Sequence, residues 1–456
     1  MAAYLSRLHH ISLHVSNVNK LSYDLVSKFQ FNLFAVRITD KAKQLAFRKG
    51  SAIFLVNERS NEPKEKLNEQ FCPNISPSNQ ETWNHMKLRE SRSADHDVNK
   101  CFYDVQAPYS VDSACNVCFE VDDVERSFSS LRDQGCDILV PPTQVQDDWG
   151  HVTYSVVKSI VGNVFHTLID RTKYEGNFLP GFNEYVTVSD EDVQNAKDEQ
   201  CPVTHFDHIT FACPRRSANE VMRWYENNFS FKRFFIGSNE DVEEGFVMNQ
   251  DGIGLRLTAM EYWKCSETGI KLAFKDKNEP HCKFVIAESL PEQGRNQVDT
   301  FLEQHRGPGI QHVALFTENI VSTAHVMAEA GVQFFSPPPA YYTEVGKQQE
   351  IEEAGHDPKK LKRHGILLDT DLYMRNKYRS MPSERVASRY LLQLFTKPIF
   401  SEDTFFLELI ERRGASGFGE GNIRALWRSV QLYMDCDRHE QHRVDSEIQN
   451  KQTNSQ

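Results

Sequence analysis

His312-Val313-Ala314-Leu315-Phe316-Thr317, then Ile320 to Ala330, then Gly331-Val332-Gln333-Phe334-Phe335, is the stretch on which the reading of this chain turns. The first part is an apolar run of strand length. The second places Val321, Ala324, Val326, Met327 and Ala330 at helical spacing, and the third returns to an extended pattern after a glycine. Pro337-Pro338-Pro339 closes the unit. The same phrase occurs at Asn116-Val117-Cys118-Phe119-Glu120-Val121, Asp123 to Gln134 and Gly135-Cys136-Asp137-Ile138-Leu139-Val140, closed by Pro141-Pro142. Looser copies start at Leu8, running into Lys20 to Val26, and at His208, running through Ala218 to Asn228 and Phe229 to Phe235. Repetition on this scale marks supersecondary units that bury their apolar faces against one another.

Four βαβββ-like units pair naturally into two half-open barrels. The expected layout is an N-terminal domain at 5–175, metal-free and interrupted by a polar insertion at 58–112. A polar linker follows at 176–202, then a catalytic domain at 203–436, interrupted by a charged loop at 370–388. Both interruptions lack apolar periodicity and read as surface loops dispensable for chemistry. A helix at about 420–436, with Ile423, Leu426, Trp427, Val430 and Tyr433 on one face, should close a barrel mouth. The tail at 437–456 is polar and reads as disordered.

The chain has 456 residues, 39% of them hydrophobic, enough for two such cores. Lys+Arg 52 against Asp+Glu 64 leaves a net charge of −12, which argues against nucleic acid as the partner. No apolar run approaches the ~18 residues of a transmembrane segment. The 10 cysteines are scattered. Cys115 and Cys118 form a CxxC inside a predicted strand with no second pair, so a zinc site is not expected there and free thiols in a reducing compartment are. The first 23 residues contain no acid, which suits a mitochondrial address, with a cytoplasmic location as the alternative.

Three predicted strands carry one polar group each at their centres: His208 in Phe206 to Phe211, His312 in Gly309 to Phe316, and Glu408 in Phe405 to Ile410. Burying such a group unpaired costs on the order of 2–7 kcal/mol. Singly, each has a plain reading: a core histidine bonded to a carbonyl, or a glutamate paired with Arg412 or Arg413. Together, two imidazoles and a carboxylate form the facial triad that holds Fe(II) with open positions. Superposing the halves sets His10 against His208, Asn116 against His312 and Thr167 against Glu408. The N-terminal half therefore keeps one of the three donors, and a single iron per chain is expected, in the C-terminal barrel.

The stretches Asp207-His208-Ile209, Gly309 to Leu315, Leu391-Leu392-Gln393-Leu394-Phe395-Thr396-Lys397-Pro398 and Gly417-Phe418-Gly419-Glu420-Gly421-Asn422 resemble the 4-hydroxyphenylpyruvate dioxygenase family of the vicinal-oxygen-chelate superfamily. The likeness covers nearly the whole chain outside the two interruptions. Glu288-Ser289-Leu290-Pro291, Ser401-Glu402-Asp403-Thr404 and Gly421 to Trp427 bring it nearest a vertebrate branch of that family. The resemblance implies an α+β fold: two tandem vicinal-oxygen-chelate half-open barrels built from four βαβββ modules, with a C-terminal helix. It implies an Fe(II) dioxygenase whose small-molecule partners are an aryl 2-keto acid and O2. His208, His312 and Glu408 match the iron ligands. Gln297, Gln311, Gln393, Phe395, Phe418 and Asn422 match residues around the substrate. No separate catalytic side chain is implied. The oligomeric state stays open, a homodimer being compatible.

Ile423 departs from the pattern. Homogentisate-forming members have a phenylalanine there, whereas the related 4-hydroxymandelate synthases have an aliphatic residue. Room on that side of the ring favours hydroxylation at the benzylic carbon, giving 4-hydroxymandelate and CO2 from 4-hydroxyphenylpyruvate; the resemblance also implies a role in supplying a quinone (ubiquinone) head group. The segment around Leu255 and Ala287 also departs, being apolar where the dioxygenases are polar. The competing readings are homogentisate formation in tyrosine catabolism, a non-catalytic binding protein on the same fold, and a glyoxalase-like isomerase.

Overall fold

The computed structural model describes residues 3, 5–39, 42–58, 103–105, 110–185, 199–236, 240–250, 253–262, 282–291, 293–343, 345–370, 389–415, 417–419 and 421–422. The first module runs β1 (Leu5–Val15), α1 (Val18–Tyr23, continued by a π-turn at Asp24–Lys28), β2 (Asn32–Ile38), β3 (Lys43–Lys49) and β4 (Ala52–Glu58). The second runs β5 (Ser113–Val121), α2 (Val124–Asp133), β6 (Ile138–Asp147), β7 (Gly150–Lys158) and β8 (Phe165–Asp170), with β9 (Asn183–Glu184) after it. The third runs β10 (Val203–Cys213), α3 (Ala218–Phe229), β11 (Lys232–Phe234), β12 (Phe246–Gln250), β13 (Ile253–Tyr262) and β14 (Cys282–Ser289), followed by α4 (Gln297–Gln304). The fourth runs β15 (Gly309–Thr317), α5 (Ile320–Glu329), a 3-10 turn at Pro339–Tyr342, α6 (Val345–Glu353), α7 (Pro358–His364), β16 (Leu367–Thr370), β17 (Tyr390–Phe395) and β18 (Phe406–Arg413).

The modules form two curled mixed sheets, ordered β6-β7-β8-β5-β1-β4-β3-β2-β9 and β11-β13-β14-β10-β15-β18-β17-β16, with β12 beside β13. In each sheet two modules meet at an antiparallel seam, β1 with β5 and β10 with β15. Each seam strand also pairs in parallel with the last strand of its own module, as β15 does with β18. The helix starts explain why each leading strand stops where it does. Asp123 accepts from Arg126 N–H, and Asn319 accepts from Ser322 N–H, capping α2 and α5. Buried acids finish the job in the C-terminal half: Glu288 accepts from the N–H groups of Ser217 and Ala218, and Glu411 from that of Ile320.

Both seams carry the same irregularity. The register slips between Leu8 and His10 in β1, and between Phe206 and His208 in β10. Each slip is a bulge of one residue, His9 and Asp207 respectively, which re-aims its side chain toward the following histidine.

A single apolar layer runs through both halves. Phe54 packs on Phe206 with ring centroids 5.1 Å apart, and Phe119 on Phe284 at 6.2 Å. His166 lies within reach of the Tyr225 hydroxyl at 2.8 Å, and its Nδ1 meets Val117 O at 3.2 Å, so the buried imidazole is satisfied while neutral. Gly50, at φ +56°, lets the backbone approach so closely that a Cβ there would meet Thr204 O at 2.3 Å. Ser51 N–H bonds to that same carbonyl at 2.7 Å.

The N-terminal barrel is filled by its own chain, and here the structure corrects the reading of 58–112 as surface throughout. Residues 59–102 and 106–109 lie outside the described residues, but Tyr103 and Asp104 are buried. Asp104 lies 2.8 Å from His14 Nε2 and accepts from Asn57 at 2.7 Å and Asn116 at 2.8 Å. Thr167 Oγ1 donates to Tyr103 O and accepts from Asn116. Two residues without periodicity give no pattern to read, so the plug is invisible in the sequence. Part of the presumed linker is also core: Phe178 and Leu179 are buried, and β9 pairs with β2 at the sheet edge. Residues 186–198, 371–388 and 423–456, with Ile423, the closing helix and the tail, lie outside the described residues.

Candidate metal centre

β10, β15 and β18 are neighbours in the second sheet, and each contributes one inward-facing donor. His208, His312 and Glu408 bring one ligand atom apiece within 4.8 Å of one another. Glu408 Oε2 lies 3.3 Å from His208 Nε2 and 3.5 Å from His312 Nε2. The strand registers impose this: Ala314 pairs with both His208 and Glu408, so the three donors ring one point of the seam.

The remaining atoms of the three side chains are tied back. His208 Nδ1 meets Asp207 Oδ1 at 2.8 Å, and Arg412 grips that carboxylate with two bonds of 2.7 Å. Burial would raise the Asp207 pKa, but Arg412 and then His208 hold it well below the usual carboxylate range. His312 Nδ1 lies 3.3 Å from Gln311 Oε1. Each histidine is thereby oriented to present Nε2. Burial lowers the His312 pKa far below normal, with a contribution from His208. For His208 burial acts the same way, but Glu408 and Asp207 outweigh it and the pKa is raised. Glu408 Oε1 accepts from Gln393 Nε2 at 2.9 Å, leaving Oε2 to face the imidazoles. These residues fit an iron ion by donor chemistry and by orientation: two imidazole nitrogens and one carboxylate oxygen converge, with their opposite atoms already bonded.

Gln393 is the hinge of a longer relay. Its Nε2 also donates to Phe418 O at 2.9 Å, and its Oε1 accepts from Asn422 Nδ2 at 3.0 Å. Asn422 Oδ1 lies 2.9 Å from the Tyr341 hydroxyl, which accepts from Leu368 N–H at 2.9 Å. Gly419, at φ +73°, leaves space for this: a Cβ there would meet Gln393 Oε1 at 1.9 Å. Gly421 N–H donates to Asp369 at 2.9 Å. The glycine-rich segment is thus folded onto the glutamine that steadies Glu408.

Of the residues singled out in the sequence, the structure gathers His208, His312, Glu408, Gln311, Gln393, Phe395, Phe418 and Asn422. Phe418 meets the His208 ring at 5.0 Å, edge to face, and Phe395 meets His312 at 6.4 Å. Gln297 is the first residue of α4, half-buried, beside Val298 of the apolar cluster that includes Phe418. The plain reading of Glu408 as an ion-pair partner of Arg412 or Arg413 is not what forms: Arg412 takes Asp207 and Arg413 takes Glu411. Sequence reading missed Asp207 as the His208 orienter, although an acid just before a strand histidine was a usable signal. It also missed Tyr341 and Lys283, for which there was none. Lys283 pairs in register with His208, and its ammonium lies 4.8 Å from the Phe234 ring centroid and 5.7 Å from that of Phe418. Burial, then the Arg412 charge, lowers its pKa. Beyond it Ala212, Leu255, Leu257, Val285, Ala287 and Phe418 form one apolar cluster.

No family model matches the chain. A 4-hydroxyphenylpyruvate dioxygenase-like protein of Rattus norvegicus is 39% identical over 435 residues, 94% of this chain and 98% of that protein. That of Homo sapiens is 38% identical over 437 residues, with the same coverage. The 4-hydroxyphenylpyruvate dioxygenase of Yarrowia lipolytica is 30% identical over 326 residues, 70% of this chain and 72% of that enzyme. Among solved structures, a triple mutant of 4-hydroxymandelate synthase from Streptomyces coelicolor shares the fold. Its TM-score is 0.63 at 20% identity, and the match covers 94% of this chain and 99% of that one.

Proposed function

This chain belongs to the 4-hydroxyphenylpyruvate dioxygenase family, and from that premise we propose that it is a non-haem Fe(II) dioxygenase converting 4-hydroxyphenylpyruvate and O2 to 4-hydroxymandelate and CO2. The observation that carries the iron site is the convergence of His208, His312 and Glu408 with their far atoms already bonded. The choice of product rests on Ile423, by the sequence argument. A mitochondrial role in supplying a quinone head-group precursor rests on the resemblance and on the acid-free N-terminal residues.

His208 and His312 would hold the metal through Nε2, and Glu408 through Oε2. Iron bound there supplies chelation of the keto acid and the reduction of O2 that drives decarboxylation and hydroxylation. The chain's own part is positioning and exclusion of water. Asp207, Gln311 and Gln393 fix the three donors. Phe418 and the apolar cluster behind it offer a dry wall for an aryl ring. Lys283, one strand over from His208, complements the carboxylate of the substrate.

Lys283→Met should therefore raise KM for the keto acid about 10-fold, the equivalent of ~1.4 kcal/mol, with little loss of kcat or iron content. Steady-state kinetics beside an iron assay check this, and an unchanged KM removes the role given to Lys283.

The proposal as a whole is tested by aerobic incubation of the iron-loaded chain with 4-hydroxyphenylpyruvate, with products identified by mass spectrometry and NMR. The expected product is 4-hydroxymandelate. Ile423→Phe should divert part of it toward ring-hydroxylated species, because ~1.4 kcal/mol between competing barriers is a tenfold ratio. Homogentisate from the wild type would move the chain to the other enzymatic reading, and no oxygen uptake at all would favour a binding protein.

A further inference from the structure

We propose that the N-terminal barrel holds a second metal site, built by His9, His10 and Cys118 and suited to a borderline transition-metal cation of the Zn2+ class. One donor atom from each residue lies within 4.8 Å of the others, and all three residues are buried. Two consecutive strand residues normally face opposite sides. Here the bulge at His9 turns both imidazoles inward, their Nδ1 atoms 2.7 Å apart. Cys118 is the register partner of His10 on β5.

The site is not a remnant of the iron centre. By register, Cys118 stands where the C-terminal barrel has Ala314, and His9 stands where it has Asp207. The positions matching His312 and Glu408 are Asn116 and Thr167, both bonded to the Tyr103-Asp104 plug. The donors have thus moved along the seam and exchanged carboxylate for thiol. Two imidazoles and one thiolate make a zinc-type set with a fourth position left for water or another ligand.

A second observation points to a ligand. His10 Nε2 is buried and has no hydrogen-bond partner, while His14, Asn57, Asp104 and Asn116 around the same barrel are bonded. The surroundings suit a bound cation. His9 Nε2 lies 3.8 Å from Glu120, which Arg7 and Arg171 hold in place. Phe178 stacks on His9 at 5.5 Å and meets His10 at 5.8 Å, keeping the donors in an apolar surround. Burial lowers the pKa of His9 far below normal and that of His10 to about 4. Burial, and then Glu120, raises that of the Cys118 thiol. Binding therefore breaks the S–H bond, forms a sulfur–metal bond and releases one proton to solvent.

The test is a Co2+ titration of the full-length, metal-stripped chain, read by the near-ultraviolet thiolate-to-cobalt charge-transfer band. The band should reach full intensity within two equivalents in the wild type, where the iron centre also takes Co2+, saturate at one equivalent in His208→Ala, where that centre is broken, and disappear on adding Zn2+. It should vanish in Cys118→Ser and weaken more than about 100-fold in His10→Ala, beyond the 10–100-fold typical of losing an outer partner. Circular dichroism checks that each variant is folded, and Cys118→Ala replaces the serine variant if that one is not. A wild type without the band, or a folded Cys118 variant that keeps it, overturns the proposal.

Discussion

His208→Ala should leave a folded protein that no longer retains iron through gel filtration and no longer consumes oxygen with 4-hydroxyphenylpyruvate. Removing this imidazole deletes one of three converging donors, and it strands Asp207 without the Nδ1–H it faces. The loss in iron affinity should exceed about 100-fold, because disturbing an outer partner alone costs roughly 10–100-fold. His10→Ala removes the residue at the matching place in the other barrel, where Asn116 and Thr167 replace the remaining donors. It should retain iron and turnover in full. A colorimetric ferrous assay on both variants checks the pair, and equal loss from the two would end the single-iron reading.

Arg412→Met should give the largest loss of stability of any single change near the centre. The guanidinium makes two 2.7 Å bonds to the buried Asp207 and further bonds to the carbonyls of Ala415 and Gly417. Breaking a buried pair from one side leaves an uncompensated charge, at a cost of about 3–5 kcal/mol. The same change loosens His208, so iron affinity should fall by roughly 10–100-fold even where the protein remains folded. Pairing it with Asp207→Asn should recover part of the stability, because the stranded charge is gone, without recovering the affinity. Thermal denaturation with and without iron checks both halves of this expectation. Wild-type stability in Arg412→Met would show that the pair contributes nothing net.

The fold was legible because repetition is a property of pattern, and pattern survives without any contact being known. Asn116 to Val140 became a strand, a helix and the start of a further strand, whereas His312 to Phe335 became a strand and a helix followed only by an isolated bridge at Phe334, with two helices standing before the next strand. The triad was legible because a polar residue centred in an apolar run must face something. What faces what was less so. Arg412 lay near Glu408 in sequence and on the same face of its strand, yet it reaches Asp207 on a strand two places away in the sheet. Cys115 and Cys118 looked like half of a zinc motif and were set aside for want of a second pair. A further register slip, at Cys115, brings both thiols to the barrel interior, Cys118 beside His9 and His10 and Cys115 beside His14. The Tyr103-Asp104 plug is two residues with no periodicity, and its meaning comes entirely from His14, Asn57, Asn116 and Thr167, which it reaches across long stretches of chain.

The apolar layer shared by the two halves has a consequence for biosynthesis. A chain emerges from the ribosome N-terminus first, and domains generally fold as units in that order. The first barrel can complete its own seam as soon as β5 and β8 are made. Its outer face, with Phe54, Phe119 and His166, then stays wet until Phe206, Tyr225 and Phe284 arrive to cover it. A ribosome stalled between the halves, or a gene truncated there, would release a species with a wide greasy face and no mate. Such a species is a chaperone client and an aggregation hazard. The half that carries His208, His312 and Glu408 is no better off alone, since Phe206, Tyr225 and Phe284 would be bared in turn.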